Sequence, residues 1–316
     1  MKILCIGEAL IDMICTDTGK SLSKGDNFLK KPGGAPTNVA AAIAALGGEV
    51  ILAAKVGADP FGQQLIDVMK DLGVSTIWMM QDKNYFTTFA FVSLMHDGER
   101  DFVFNRGADG QLSEEDINDI NLDECSIVHF GSATGFLPGP LQQAYKSMLQ
   151  KAIAKNIFIS FDPNYRHLLF KNNTESFIEQ SWHFIRHCHF FKVSDEEAML
   201  MTASSSVYDA AIILSEKTNA TFAITLGKEG TMLVYKKIMS TIPSIAVKPI
   251  DTTGAGDAFV GAVLYQLSDF SLPVIEALEA EDWAKIIANA TKAGARTCEY
   301  MGAMEAFKHL SNDIFN

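Results

Sequence analysis

Short apolar, β-rich runs alternate along the chain with longer stretches that suit helices. The runs at residues 3–6, 50–56, 126–130, 157–161, 190–193, 221–225 and 231–235 read as strands. The stretches at 38–46, 61–72, 140–155, 173–186, 206–217, 258–267 and 283–298 read as helices. Such alternation predicts an α/β fold, a mainly parallel sheet covered by helices on both faces. Ligands then belong beyond the C-terminal ends of the strands.

Two segments break the rhythm. Residues 16–31 follow the first strand without a crossover helix. Residues 87–105 are β-rich, with a turn at His96-Asp97-Gly98-Glu99 that signals a hairpin. Together they predict a small sheet projecting from the strand ends as a lid, inserted at about 14–31 and 84–106 of one domain covering 1–316; an edge hairpin of the main sheet is the alternative. Met1-Lys2-Ile3-Leu4-Cys5-Ile6 reads as a first strand rather than a signal peptide, and no apolar run approaches membrane-spanning length.

Composition narrows the partners. The 316 residues are 48% hydrophobic, enough for a substantial core, and carry a net charge of −12. That charge argues against non-specific nucleic-acid binding. An acidic chain that takes an anionic ligand must supply positive potential locally. The five cysteines, at 5, 15, 125, 188 and 298, lack CxxC spacing. They predict free thiols in a cytoplasmic protein, with neither a zinc site nor a disulfide framework.

The densest chemistry lies in Asp251-Thr252-Thr253-Gly254-Ala255-Gly256-Asp257-Ala258-Phe259. An apolar helix is predicted to start just after Gly256. Its N-terminus offers free backbone N–H groups and partial positive charge. Gly254 and Gly256 let a ligand approach the backbone. Asp257 falls in the first turn beside any bound anion. A carboxylate there is a poor choice for binding a phosphate, but it suits a base that takes a proton from a hydroxyl attacking that phosphate. A Gly-rich turn with an acidic cap is the plainer reading.

A second motif, Gly33-Gly34-Ala35-Pro36-Thr37-Asn38-Val39, opens an Ala-rich helix that Gly47-Gly48 stops. Asn38 lies in its first turns, where its amide could meet a polar ligand over the glycine backbone. Asp12, after the first strand, could accept hydrogen bonds from a sugar diol or serve as a turn Asp. In Phe161-Asp162-Pro163-Asn164-Tyr165-Arg166, Arg166 can reach a phosphate and Asn164 can add a donor. Lys192-Val193-Ser194-Asp195-Glu196-Glu197 brings carboxylates after another strand. Most read as solvated helix-start charge, and one could hold Mg²⁺ through water. Thr225-Leu226-Gly227-Lys228-Glu229-Gly230 is a nucleotide edge or a plain hairpin. No GxxxxGK[ST] occurs, and no GxGxxG follows the first strand.

These residues together resemble the ribokinase-like (PfkB) family of sugar kinases over nearly the whole chain. Residues 33–47 resemble its first signature and 251–264 its second. Gly57-Ala58-Asp59-Pro60-Phe61-Gly62, Asn105-Arg106-Gly107-Ala108-Asp109, the Phe161–Arg166 run and the Lys192–Glu197 run resemble the fructokinases within it. The resemblance implies a ribokinase-like fold and phosphorylation of D-fructose at its 6-hydroxyl by ATP and Mg²⁺. It makes Asp257 the base and the backbone of Gly254, Ala255 and Gly256 the anion hole. It implies that Asp12, Gly33, Gly34 and Asn38 hold the sugar, with Phe104 and Arg106 coming from the lid. Asn164 and Arg166 would face the transferred phosphate, Thr225, Gly227 and Gly230 would border the nucleotide, and Asn289 would lie near adenine. Glu197 falls at the family's Glu position, where an ion is held through water. Asp251 and Thr253 match ligand positions for a monovalent cation such as K⁺. A homodimer through the lids is a further family-level expectation. Kinases for 2-keto-3-deoxygluconate, ribose or an aminoimidazole riboside, and a catalytically silent sugar-binding regulator, remain as alternatives.

Overall fold

The computed structural model describes residues 1–94 and 100–315. The strands in chain order are β1 (Lys2–Ile6), β2 (Leu10–Cys15), β3 (Phe28–Gly33), β4 (Val50–Gly57), β5 (Ser75–Asp82), β6 (Phe89–Leu94), β7 (Arg100–Asn105), β8 (Cys125–Phe130), β9 (Phe158–Phe161), β10 (Phe190–Ser194), β11 (Thr221–Thr225), β12 (Thr231–Tyr235) and β13 (Ile238–Ile242). Nine of them form one sheet in the order β13-β12-β11-β10-β9-β8-β1-β4-β5. From β11 to β5 every pairing is parallel; β12 and β13 add an antiparallel edge.

Helices cover both faces because the central strands bury both sets of side chains. Ile3 and Cys5 belong to one apolar cluster and Leu4 and Ile6 to the other, as the two-residue alternation of a strand requires. On the first face the Ala35–Ala45 and Ala255–Leu267 helices pack closely. A Cβ on Gly261 would stand 2.8 Å from the Ala42 Cβ, so small residues set this approach.

The second sheet, ordered β3-β2-β6-β7, is the lid expected from residues 14–31 and 84–106, and it is not an edge of the main sheet. It begins earlier than expected, at Leu10. Asp12 therefore lies within strand β2 rather than in a loop after the first strand. Two helix starts and two strands also differ from the sequence reading. The glycine-led helices start at Ala35 and Ala255, because Pro36 and the small residues fit a first turn. β5 and β13 are additional strands at the two edges. The turn expected at His96-Asp97-Gly98-Glu99 lies outside the described residues. All five cysteines are free. Among the described residues no single helix is long and apolar enough to cross a membrane.

Candidate active site

The parallel strands end on one side of the main sheet, and the lid rises from that side. Gly254 caps the Ala255–Leu267 helix in a left-handed conformation, φ 81°, with no side-chain cap. The Ala255 amide expected in the anion hole donates to Thr252 O at 3.2 Å, and the first bond that closes the helix runs from Ala258 N to Gly254 O, 2.8 Å, so the amides of Gly256 and Asp257 are not used within it. They point out of the helix end with its partial positive charge. Asp257 is buried beside them, and Asn38 Nδ2 donates to its Oδ2 at 2.7 Å. Asn38 Oδ1 is buried with no hydrogen-bond partner among the described residues, an acceptor left without a donor.

Burial pushes the Asp257 carboxyl up to about 6; Asn38 opposes this, Asp162 adds to it, and Arg166 and Lys192 oppose it. A carboxylate poised there can take a proton near neutral pH. Asp12 faces the same cleft from the lid. Burial raises it to about 7, against Arg166 and with help from Glu8. Its carboxylate lies hard against Gly33, where a Cβ would come 2.1 Å from Asp12 Oδ2. Strand register places Lys31, Asp12, Ala90 and Phe104 in one row across the lid, so Asp12 and Phe104 share a face. Gly34 has φ 107° and a backbone pressed against Glu8 O. The structure thus brings Asp12, Gly33, Gly34, Asn38, Asp257 and Arg166 together.

Arg166 is exposed and is held by Asn164. Asn164 takes a left-handed backbone, φ 50°, its Oδ1 accepts from Arg166 Nη2 at 3.0 Å, and its Nδ2 donates to Gly131 O at 3.0 Å. Asn164 therefore aims the arginine, with its amide already engaged. Glu197 ties two loops: Oε1 accepts from Tyr165 N and Oε2 from Ser194 N, each at 2.7 Å. Asp251 accepts from Thr253 N and Oγ1 through Oδ1, and from Gly302 N through Oδ2 at 2.8 Å. Thr225 ends β11 at the rim. Gly227 opens on free space, with no atom within 4 Å of a Cβ built on it, whereas on Gly230 a Cβ would meet Ile242 O at 2.1 Å. Gly230 is thus fixed by the hairpin, and Gly227 alone of the two is accessible. Arg106 is partly engaged: Nη1 donates to Pro138 O and Nη2 to Thr134 O, while Nε stands 3.5 Å from Asp109 Oδ2 without a hydrogen bond among the described residues. Asn289 donates to Gln266 Oε1 at 2.9 Å, an interhelical bond near the far end of the Ala255–Leu267 helix. That accounts for its polarity without a nucleotide.

One site residue carried no role in the sequence reading. Lys192 is 8% exposed, and its Nζ donates to Asp162 Oδ2 at 3.1 Å. A Cβ on Gly256 would lie 3.3 Å from that nitrogen, so the ammonium sits against the glycine loop. Burial lowers its pKa, but Asp162, Glu197 and Asp257 outweigh this and the net shift is upward. The signal was present: Phe190-Phe191-Lys192-Val193 puts a lysine inside an apolar strand, and lysine is seldom buried unless paired. Lys192 and Arg166 are the local positive potential that the chain's acidity demands.

Comparison with known proteins agrees with this geometry. The model of the pfkB family carbohydrate kinases matches residues 1–309. The chain is 36% identical over 272 residues to fructokinase-2 of Solanum lycopersicum, covering 84% of this chain and 82% of that protein. Its fold superposes on fructokinase from Vibrio cholerae O395, solved with fructose, ADP and a calcium ion, with TM-score 0.81 and 27% identity, covering 99% and 97% of the two chains. It also superposes on aminoimidazole riboside kinase from Salmonella enterica, solved with its riboside and an ATP analog, with TM-score 0.84 and 27% identity, covering 100% and 99%. A ribokinase-like fold with a separate lid sheet, a buried carboxylate at an open helix end and a family match along nearly the whole chain lead to one assignment: the chain belongs to the pfkB family of carbohydrate kinases, enzymes that transfer phosphate to a sugar hydroxyl.

Proposed function

We propose that this enzyme phosphorylates D-fructose at its 6-hydroxyl with ATP. The observation that carries the chemistry is Asp257, buried, bonded to Asn38 and set at the unfilled end of a helix. Asp12 and the free Oδ1 of Asn38 accept from sugar hydroxyls and turn one of them toward Asp257. Asp257 takes that hydroxyl's proton as its oxygen bonds to the terminal phosphorus. The bond to the bridging oxygen breaks, and ADP leaves with the negative charge. The amides of Gly256 and Asp257, with Arg166 and Lys192, stabilise the phosphoryl oxygens during transfer. The lid excludes water that would otherwise consume ATP. Thr225 and Gly227 border the nucleotide.

Among the described residues no group of three His, Cys, Asp or Glu forms a metal cluster. The oxygens of Glu197 and Asp162 already take backbone N–H groups or Lys192. This donor set would fit a Mg²⁺ ion bound to the nucleotide's phosphates, which Glu197 would hold through water. Bound there, Mg²⁺ supplies charge neutralisation on the phosphates. Asp251 accepts from Thr253 and from Gly302 N, which fixes the loop, and the lone pairs these bonds leave would suit a monovalent cation such as K⁺.

Fructose is favoured over other sugars by the fructokinase relative at 36% identity. The test varies each sugar at saturating MgATP. Fructose should exceed ribose, 2-keto-3-deoxygluconate and an aminoimidazole riboside in kcat/KM. A tenfold preference for any of the others would overturn the substrate but not the chemistry, and ATP consumption with no sugar would overturn both.

A further inference from the structure

Two sequence motifs take no part in the mechanism above: Gly57-Ala58-Asp59-Pro60-Phe61-Gly62 and Asn105-Arg106-Gly107-Ala108-Asp109. In the structure they meet. The lid joins the main body at four roots: Gly7–Ala9 before β2, Gly34 after β3, Thr87-Thr88 before β6, and Arg106–Asp109 after β7. Three carboxylates fasten all four.

Asp59 holds the third root. Its Oδ2 accepts from Thr87 N at 2.7 Å, and its Oδ1 from Thr87 Oγ1 at 2.8 Å and from Phe61 N and Gly62 N. Asp109 joins the third root to the fourth. It accepts from Thr88 Oγ1, which itself accepts from Gly107 N at 2.8 Å. Glu8 joins the first root to the second, accepting from Ala35 N at 3.2 Å, and to the β8 end through Ser132 and Ala133 N. Thr134 links the two halves. Its hydroxyl lies 2.9 Å from Asp109 Oδ2 and 3.4 Å from Glu8 Oε2. Arg106 completes the knot, with Nε near Asp109 and two donors on the 134–138 loop. Thr87, Thr88, Asp109 and Glu8 are each 1% exposed or less.

So much buried polarity is costly, and an apolar plug would serve stability as well. What directional bonds add is a fixed angle. Phe104 and Asp12 ride on β7 and β2, and the angle of their sheet decides where they meet the sugar. We propose that Asp109, bridged to Glu8 by Thr134, is a positioning residue for sugar phosphorylation: a clasp that sets the lid over the cleft. The inference rests on the reading that the lid covers the sugar. It also assigns Arg106 to the clasp rather than to the sugar.

The test uses Asp109→Asn in the full-length enzyme, with the wild type's best sugar from the panel above. Thr134→Val, which removes only the bridging hydroxyl, is the second variant should the first fail to fold. Backbone amide exchange without ligands should quicken in β2, β3 and β6 while β8 and β9 stay as in wild type. The sugar KM should rise about tenfold and the ATP KM should stay within twofold. Unchanged lid exchange, or faster exchange everywhere, overturns the clasp. Loosening of the lid with an unmoved sugar KM overturns its role in positioning, and a sugar panel with no preferred substrate would fault the proposed function instead.

Discussion

Two helices share one design at their starts and differ in what they leave open. The Ala35–Ala45 helix follows Gly34, φ 107°, and the Ala255–Leu267 helix follows Gly254, φ 81°; neither has a side-chain cap. At the first, Glu8 already accepts from Ala35 N, and Thr37 Oγ1 donates to Glu8 O at 2.9 Å. At the second, the amides of Gly256 and Asp257 are open and Lys192 lies against the loop. An N-terminus filled by a resident carboxylate is electrostatically quenched and suits a neutral ligand. One left empty beside a buried ammonium suits an anion. In the proposed mechanism the same backbone device faces the sugar at one end and the phosphate at the other, and the Asn38–Asp257 bond joins the two ends.

The largest effect should come from breaking that junction. Asp257→Asn keeps the shape and an acceptor for Asn38 but cannot take a proton. Turnover should fall on the order of 10²–10⁴-fold, with KM for both substrates within a few-fold. Stability should not fall. The folded carboxyl titrates at about 6, above its usual value, so the ionised form is disfavoured in the fold above that pH and the neutral amide removes this cost. A thermal melt at pH 8 checks it. Turnover near wild type in a folded variant would remove Asp257 as the base.

The comparison itself is sharpened by a matched pair. Gly254→Ala forces a left-handed alanine whose Cβ would stand 2.5 Å from Ala303 Cβ, and Gly34→Ala puts a Cβ 2.5 Å from Glu8 O. The first should cost about 10²-fold in kcat by misplacing the anion hole. The second should act mainly on the sugar, raising its KM on the order of tenfold, since one displaced hydrogen bond is worth about 1–2 kcal/mol. Equal effects of both variants on one parameter would show that the two ends do not divide the labour.

The motifs that define these two ends were legible in the sequence for a physical reason. Glycine beside a helix start, followed by Ala-rich or apolar runs, has few structural meanings, so Gly33-Gly34 and Gly254-Ala255-Gly256 announced themselves. The alternation of strands and helices likewise gave the main sheet. Other features depend on partners remote in sequence. Asp12 reads as a loop residue until β6, more than 70 residues on, pairs with β2. Lys192 looks like a flaw in an apolar strand until Asp162 is seen across the neighbouring strand end. Arg106 and Asn289 match family positions, but only the fold shows their donors engaged with Thr134, Pro138 and Gln266.

Lys192 gives a smaller effect that tests the charge at the open end. Lys192→Met should lower kcat by about 10–100-fold, as for loss of one charged group at a phosphate. It should also move the acid limb of kcat to higher pH. The sign follows from the charges around Asp257. Lys192 and Arg166 favour its ionised form, while Asp162 disfavours it, so deleting Lys192 weakens the opposition to Asp162 and raises the pKa. Adding Asp162→Asn removes both influences and should return the limb toward wild type. A limb that stays put in Lys192→Met would mean that the ammonium serves only the fold.

The smallest effect at neutral pH is in the wild type's own titration. Asp257 near 6 and Asp12 near 7 must both be ionised, one to take the proton and the other to accept from the sugar. Going down in pH, log(kcat/KM) for the sugar should be flat above 7, bend to a slope of one, and steepen toward two below 6. From pH 8 to 7 the loss is only about twofold. In Asp12→Asn the upper bend should vanish, leaving a single limb near 6 on a lower plateau. The charged groups facing Asp12 are Arg166 and Glu8; burial raises Glu8 as well, so the bend belongs to Asp12 only if it also persists in Glu8→Gln. A wild-type profile with one limb, unchanged by Asp12→Asn, would take Asp12 out of the sugar's hydrogen bonds and leave the quenched helix end to hold the sugar with Asn38 alone.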